Sequence, residues 1–90
     1  MKTLRLSRSA AKFWESLDAK QYRQVGKAMT TLMENSRPQD SLLLKASNHT
    51  ERRVDAGEYR INYTDSNDEV AVLVIGKRNG SEVYKRVRQK

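Results

Sequence analysis

Cations dominate the residues of this chain that could do chemistry. Eighteen lysines and arginines stand against eleven aspartates and glutamates, giving a formal charge of +7 and a pI near 10.0. There is no cysteine, so disulfides and thiolate metal sites are excluded, and a reducing cytosol is permitted. The one histidine, His49, cannot build a zinc site by itself, and no metal site is expected. So large a positive field on a 10.4 kDa chain attracts polyanions. Charge alone leaves open RNA, DNA, an acidic membrane, an acidic protein partner or a solubilising surface.

The elements that must position these charges follow from the spacing of apolar residues. Thr3-Leu4-Arg5-Leu6 alternates and predicts a short first strand. Ser7 or Ser9 can then cap a helix whose stripe is Ala10, Phe13, Trp14 and Leu17. Asp18 ends that helix and can cap a second, with Tyr22, Val25, Met29, Leu32 and Met33 on one side, closed by Asn35-Ser36-Arg37-Pro38. Gly26 inside the second helix can permit close packing of the two.

Residues 39–50 have no clear period and are expected to be irregular. A strand over Glu51 to Val54 is predicted to meet a turn at Asp55-Ala56-Gly57. Residues Tyr59 to Thr64 then put Tyr59, Ile61 and Tyr63 on one face, and Arg60 and Asn62 on the other. Asp65 to Asp68 is a hairpin turn, and Val70 to Ile75, apolar on both faces, reads as a central strand. Gly76 to Gly80 breaks it, and Ser81 to Val87 can form a last helical turn or two. The fold class is therefore α+β, two-layer, β-α-α-β-β-β-(α), with a twisted, mostly antiparallel sheet and the helical hairpin on one face. Residues 1–90 are expected to form one domain, too small to enclose a cofactor, and none is expected. The N-terminus has no apolar core of a signal peptide and no run of about 18 apolar residues occurs, so a cytoplasmic protein without a membrane partner is expected. If Ile61 meets the helices, Arg60 points into the face they leave uncovered.

The segment Gly57-Glu58-Tyr59-Arg60-Ile61-Asn62-Tyr63, the strand Val70 to Arg78, and Ser81-Glu82-Val83-Tyr84 together resemble the RelE/ParE superfamily of toxin–antitoxin toxins. The likeness covers most of the chain, since the preceding β-α-α order also fits that fold. RelE-type members cut messenger RNA in the ribosomal A site, whereas ParE-type members poison DNA gyrase and lack the ribonuclease residues. The ribonuclease pattern matches Arg60, Arg78, Tyr84 and Arg53 here. One departure is Glu51 and Arg53 where the family pattern has two lysines spaced by two. Either Glu51 takes the role of general base, or Arg52, Lys45 or Lys77 supplies the charge.

The resemblance thus implies a metal-free endoribonuclease, in which the 2′-OH attacks the adjacent phosphorus and leaves a cyclic phosphate. Arg60 and Arg78 would clamp the phosphate, because guanidinium stays charged and offers forked donors. Tyr84 would stack on a base, or else pack on the sheet edge. Lys45, Arg52, Lys77 and Lys85 are expected to contact RNA, and His49 could relay a proton beside the site. The implied partners are message, ribosomal RNA and a cognate antitoxin. The alternative is a ParE-like toxin that inhibits gyrase without catalysis.

Overall fold

Serine, aspartate and glycine set where the chain changes direction in the computed structural model, which describes residues 1–44 and 51–78. Lys45, His49, Tyr84 and Lys85, and the expected helical turn over Ser81 to Val87, lie outside the described residues. Strand β1 (Thr3–Leu6) leads to helix α1 (Arg8–Glu15), helix α2 (Ala19–Glu34), and strands β2 (Leu42–Leu43), β3 (Arg52–Ala56), β4 (Tyr59–Asp65) and β5 (Glu69–Lys77). Ser7 is the cap of α1: its hydroxyl accepts from the Ala10 amide at 3.1 Å and donates to the Leu73 carbonyl at 2.7 Å. Asp18 caps α2, accepting from the Gln21 amide at 3.2 Å.

The strands form one sheet in the order β1-β5-β4-β3-β2, antiparallel except where β1 runs parallel to β5. Both helices pack on one face. Val25, Met29 and Leu32 of α2 and Ala10 of α1 are buried against Ile61, Tyr63, Val70, Val72 and Ile75 of the sheet. Each large side chain buried there contributes roughly 1.5–3 kcal/mol, which makes this interface the main source of stability. Gly26 closes the hairpin, since a Cβ there would stand 3.2 Å from the Trp14 ring. That ring stacks on Tyr22 with centroids 4.2 Å apart and donates its Nε1–H to the Tyr22 carbonyl at 2.9 Å.

Several features differ from the sequence expectation, among them the end of β4, which runs through Asp65 paired with Val70, so that the turn is Ser66 to Asp68 and not Asp65 to Asp68. β3 continues to Ala56, because Ala56 is buried and still pairs with Tyr59, so the turn is Gly57-Glu58 rather than Asp55-Ala56-Gly57. Among the described glycines only Gly57 takes a left-handed φ, +62°, as the first central residue of a two-residue hairpin often requires. β5 continues through Gly76, which pairs with Arg60, instead of breaking there. β2 adds a strand inside the stretch expected to be irregular. Two residues are too few to show a period, and Leu42 and Leu43 are both exposed, held by backbone pairing to Arg53 and Arg52. Tyr22, placed in the core stripe from its spacing, is exposed on the Trp14 ring instead.

An irregularity in β5 explains why that strand is apolar on both faces. Asn62 pairs with Val74 but Tyr63 pairs with Val72, which leaves Leu73 as an extra residue. Val70 and Val72 face the helices on one side of it and Ile75 on the other, so the alternation changes phase at Leu73. The Ser7 hydroxyl satisfies the carbonyl of that extra residue.

At the far end of the sheet, the chain after α2 is tied to β4. The buried Tyr63 hydroxyl donates to the Ser36 carbonyl at 2.6 Å, and burial pushes its ionisation above the ordinary tyrosine value. Asp65 accepts from the Ser36 hydroxyl at 2.6 Å and from Arg37 Nε at 3.2 Å. Burial acts to raise the Asp65 carboxyl, but the Ser36 and Arg37 hydrogen bonds and the charges of Arg37 and Lys2 outweigh it, and the net shift is downward. A carboxyl depressed in the folded state stabilises above its unfolded value, and that contribution is lost as pH falls through the folded one. The wild type is therefore expected to lose stability below about pH 4 more steeply than Asp65→Asn, compared by urea unfolding across pH 2–7. Parallel curves would show that Asp65 contributes no pH-dependent stability.

Candidate functional site

Residues directly opposite each other on paired strands share a face, so the register fixes which cations meet. Arg60 on β4 stands opposite Asp55 on β3 and Gly76 on β5. Arg53 stands opposite Asn62, two residues further along β4. Arg78 lies two residues past Gly76, and its amide donates to the Glu58 carbonyl at 2.7 Å, so the ladder carries on to it. Arg78, Arg60 and Arg53 therefore form a diagonal row across three adjacent strands, on the face away from the helices. Diagonal neighbours of this kind are about 7–8 Å apart at the backbone, close enough for long side chains to act on one extended ligand.

The row is braced at its middle and at one end. Arg60 Nε donates to Asp55 Oδ1 at 3.1 Å, and the Arg60 side chain is only 14% exposed, against 43% for Asp55. Arg78 lies in the turn after β5, exposed, with Nη1 donating to the Gly57 carbonyl at 3.4 Å. Gly57 thus positions both arginines: it makes the turn that aligns Asp55 with Arg60, and it offers a carbonyl to Arg78. Asn62 lies between Arg60 and Arg53 in register, 5% exposed, and its Oδ1 has no hydrogen-bond partner among the described residues.

Other expected residues separate into two groups. Glu51 precedes β3 in register with Leu44, whose amide donates to the Glu51 carbonyl at 2.7 Å, and alternation brings it to the face of Arg53. It stands four residues of strand from the level of Arg60, about 14 Å. Arg52 and Lys77 are opposite Tyr63 and Tyr59, on the helix side of the sheet, and so are not gathered with the arginine row. Tyr84, Lys45, Lys85 and His49 lie outside the described residues. Among the described residues no three histidine, aspartate or glutamate side chains cluster as a metal site would require. No helix among them is long and apolar enough to cross a membrane.

Solved structures with this arrangement of strands and helices exist. The isolated E. coli RelE toxin matches over 99% of this chain and 97% of its own, at 22% identity and a TM-score of 0.74. A chain of the archaeal RelE–RelB complex from Pyrococcus horikoshii matches over 87% and 96%, at 19% identity and 0.74. YoeB from Staphylococcus aureus matches over 88% and 98%, at 15% identity and 0.70. This chain has the RelE-type fold. No protein-family profile and no curated protein matches its sequence.

On this RelE-type sheet the residue that sequence reasoning missed is Asp55. Placing the turn two residues early hid it, since only a turn at Gly57-Glu58 sets Asp55 opposite Arg60. The ion pair is partly exposed, so it adds at most about 1 kcal/mol to stability. Its larger effect is to hold one edge of the Arg60 guanidinium at a fixed angle. Asp55→Ala is expected to leave the unfolding midpoint nearly unchanged and to lower the activity that depends on Arg60 by about tenfold, within the range that misplacing a reacting group costs. Asp55→Asn keeps an acceptor for Nε and is expected to restore most of the loss. If asparagine proves as poor as alanine, the carboxylate charge and not its bracing of Arg60 is what counts.

Proposed function

We propose that this protein is the toxin of a toxin–antitoxin pair and an endoribonuclease that cuts messenger RNA in the ribosomal A site. The observation that carries this reading is the diagonal row Arg78–Arg60–Arg53 on the uncovered face of a RelE-type sheet. The similar solved structures include a RelE toxin and a RelE–RelB complex. A row of guanidiniums across three strands suits an extended chain of phosphates, the long side chains of Arg60 and Arg78 reaching one phosphate and Arg53 the next.

In the proposed reaction the 2′ oxygen attacks the neighbouring phosphorus in line. The P–O5′ bond breaks as the P–O2′ bond forms, leaving a 2′,3′-cyclic phosphate and a 5′ oxygen that takes a proton from water to become a free 5′-hydroxyl. Charge builds on the non-bridging oxygens, where Arg60 and Arg78 donate, and fixed donors of this type act most strongly in the transition state. Arg53 holds the next phosphate along the strand, and Tyr84 stacks on a base beside the cut. Glu51 is the proposed acceptor of the 2′-OH proton. The stretch of sheet between Glu51 and Arg60 requires both side chains to extend toward a shared nucleotide. The ribosome supplies the rest of the positioning, so cutting of free RNA is expected to be slow. An acidic, partly disordered antitoxin that covers the arginine row would silence the protein through its charge.

Arg60→Ala and Arg78→Ala are each expected to lower message cleavage by roughly 10²–10³-fold while the circular dichroism spectrum stays that of the wild type. Glu51→Gln is expected to lose about 10²–10⁴-fold, the usual share of a general base. Primer extension on a message translated by intact ribosomes reads all three. New 5′ ends within codons, lost in the folded variants, support the assignment. A wild type that inhibits growth without making such ends would shift attention to gyrase.

A further inference from the structure

The helical hairpin turns a second charged face to solvent, on the side of the molecule opposite the arginine row. Ala10 of α1 and Val25, Met29 and Leu32 of α2 mark the core side. Arg8 and Lys12 of α1, and Lys20, Arg23 and Lys27 of α2, lie roughly 150–170° around their helices from those residues, and all five are exposed. None makes an ion pair with a described residue.

These charges do not serve the helices that carry them. Neither helix has an acidic residue in its first turn, where the dipole favours one, and Arg8 and Lys20 occupy those turns instead. The last turn of α2 has no basic residue, and the helix ends on Glu34. Only Lys12, in the last turn of α1, is placed as the dipole prefers. Arg8 and Lys12, and again Arg23 and Lys27, are like charges four residues apart, each pair destabilising its helix by a few tenths of a kcal/mol. An anionic partner across this face would remove both penalties.

The rest of the face narrows what that partner is. Its other exposed residues are Glu15 of α1 and Thr30, Thr31 and Glu34 of α2; the five cations outnumber the two carboxylates, and there is no large apolar side chain to enter a lipid interface or anchor a protein. Tyr22, the nearest aromatic residue, lies three residues before Val25, on the flank of α2 beside Trp14 and not among the five cations, so this face offers no platform to an unpaired base. What remains is recognition of phosphates by charge and shape, the mode suited to an RNA double helix. We propose that the outer face of α1 and α2 binds the phosphate backbone of double-helical RNA, independently of the arginine row on the sheet. The inference rests on the RNA-cutting reading only in naming RNA as the polyanion.

The full chain carrying Arg60→Ala and Arg78→Ala, in which cleavage is expected to be negligible, is titrated with an RNA duplex of about 16 base pairs at several salt concentrations. Adding Arg8→Gln, Lys12→Gln, Arg23→Gln and Lys27→Gln is expected to weaken binding by at least about tenfold and to flatten the salt dependence by about four units of slope. The unfolding temperature is expected to hold or rise, because two repulsive pairs are gone. Affinity and slope that do not change with the four substitutions overturn the proposal. So does a set of substitutions that leaves duplex binding intact but abolishes binding to anionic phospholipid vesicles, which would give the face to a membrane surface. If the wild type cuts no message but the duplex result is as expected, the cleavage reading fails and this one stands.

Discussion

The pairing of Ala56 with Tyr59 around Gly57 is the constraint on which the uncovered face of the sheet depends. A two-residue turn sets Asp55 opposite Arg60 and Arg53 opposite Asn62. A slip of one residue would send Arg53 toward the helices and bring Val54 out, exchanging a buried side chain for a buried charge. The register is therefore held from two sides, by a backbone angle that glycine adopts without strain and by the apolar set Val54, Ala56, Tyr59 and Ile61 that must stay inside.

The two faces of the sheet divide their work. On the helix side, interdigitated apolar groups and the links from Ser36 to Tyr63 and Asp65 hold β4 against the end of α2. On the other side, the same strand holds Arg60 nearly buried beside a carboxylate. A side chain held this way has already lost much of its rotational freedom before any ligand arrives, so less entropy is left to lose on binding. Rigidity gained in the core is thus passed through one strand to the cation opposite.

The fold was largely legible in the sequence because its signals are local. Ser7 and Asp18 are caps with short side chains at the start of apolar stripes, and Tyr59, Ile61 and Tyr63 alternate cleanly. The diagonal row was less so, since it depends on register, and the apparent turn at Asp55-Ala56-Gly57 was off by an amount that conceals every cross-strand neighbour. Arg60 could be placed on the uncovered face from alternation alone, but its pairing with Asp55 could not. Arg52 and Lys77 were grouped with Arg60 by charge, although strand parity sends them to the other side. β2 had no signal to find, because its two leucines are exposed and only the backbone holds them.

Leu73 shows how one residue can reconcile two incompatible demands along a single strand. Upstream, β5 keeps Val70 and Val72 inside in step with Leu4 and Leu6 of β1. Downstream it must keep Ile75 inside while Gly76 and then Arg78 face out beside Arg60. An uninterrupted alternation cannot do both, because Val72 and Ile75 are an odd number of residues apart. The extra residue works as a phase shifter, and Ser7, already committed to starting a helix, absorbs the carbonyl it leaves over. The half of the sheet that pairs with the N-terminus and the half that displays the arginines are thereby uncoupled in parity. Substitutions can accumulate in one half without resetting the inside and outside of the other.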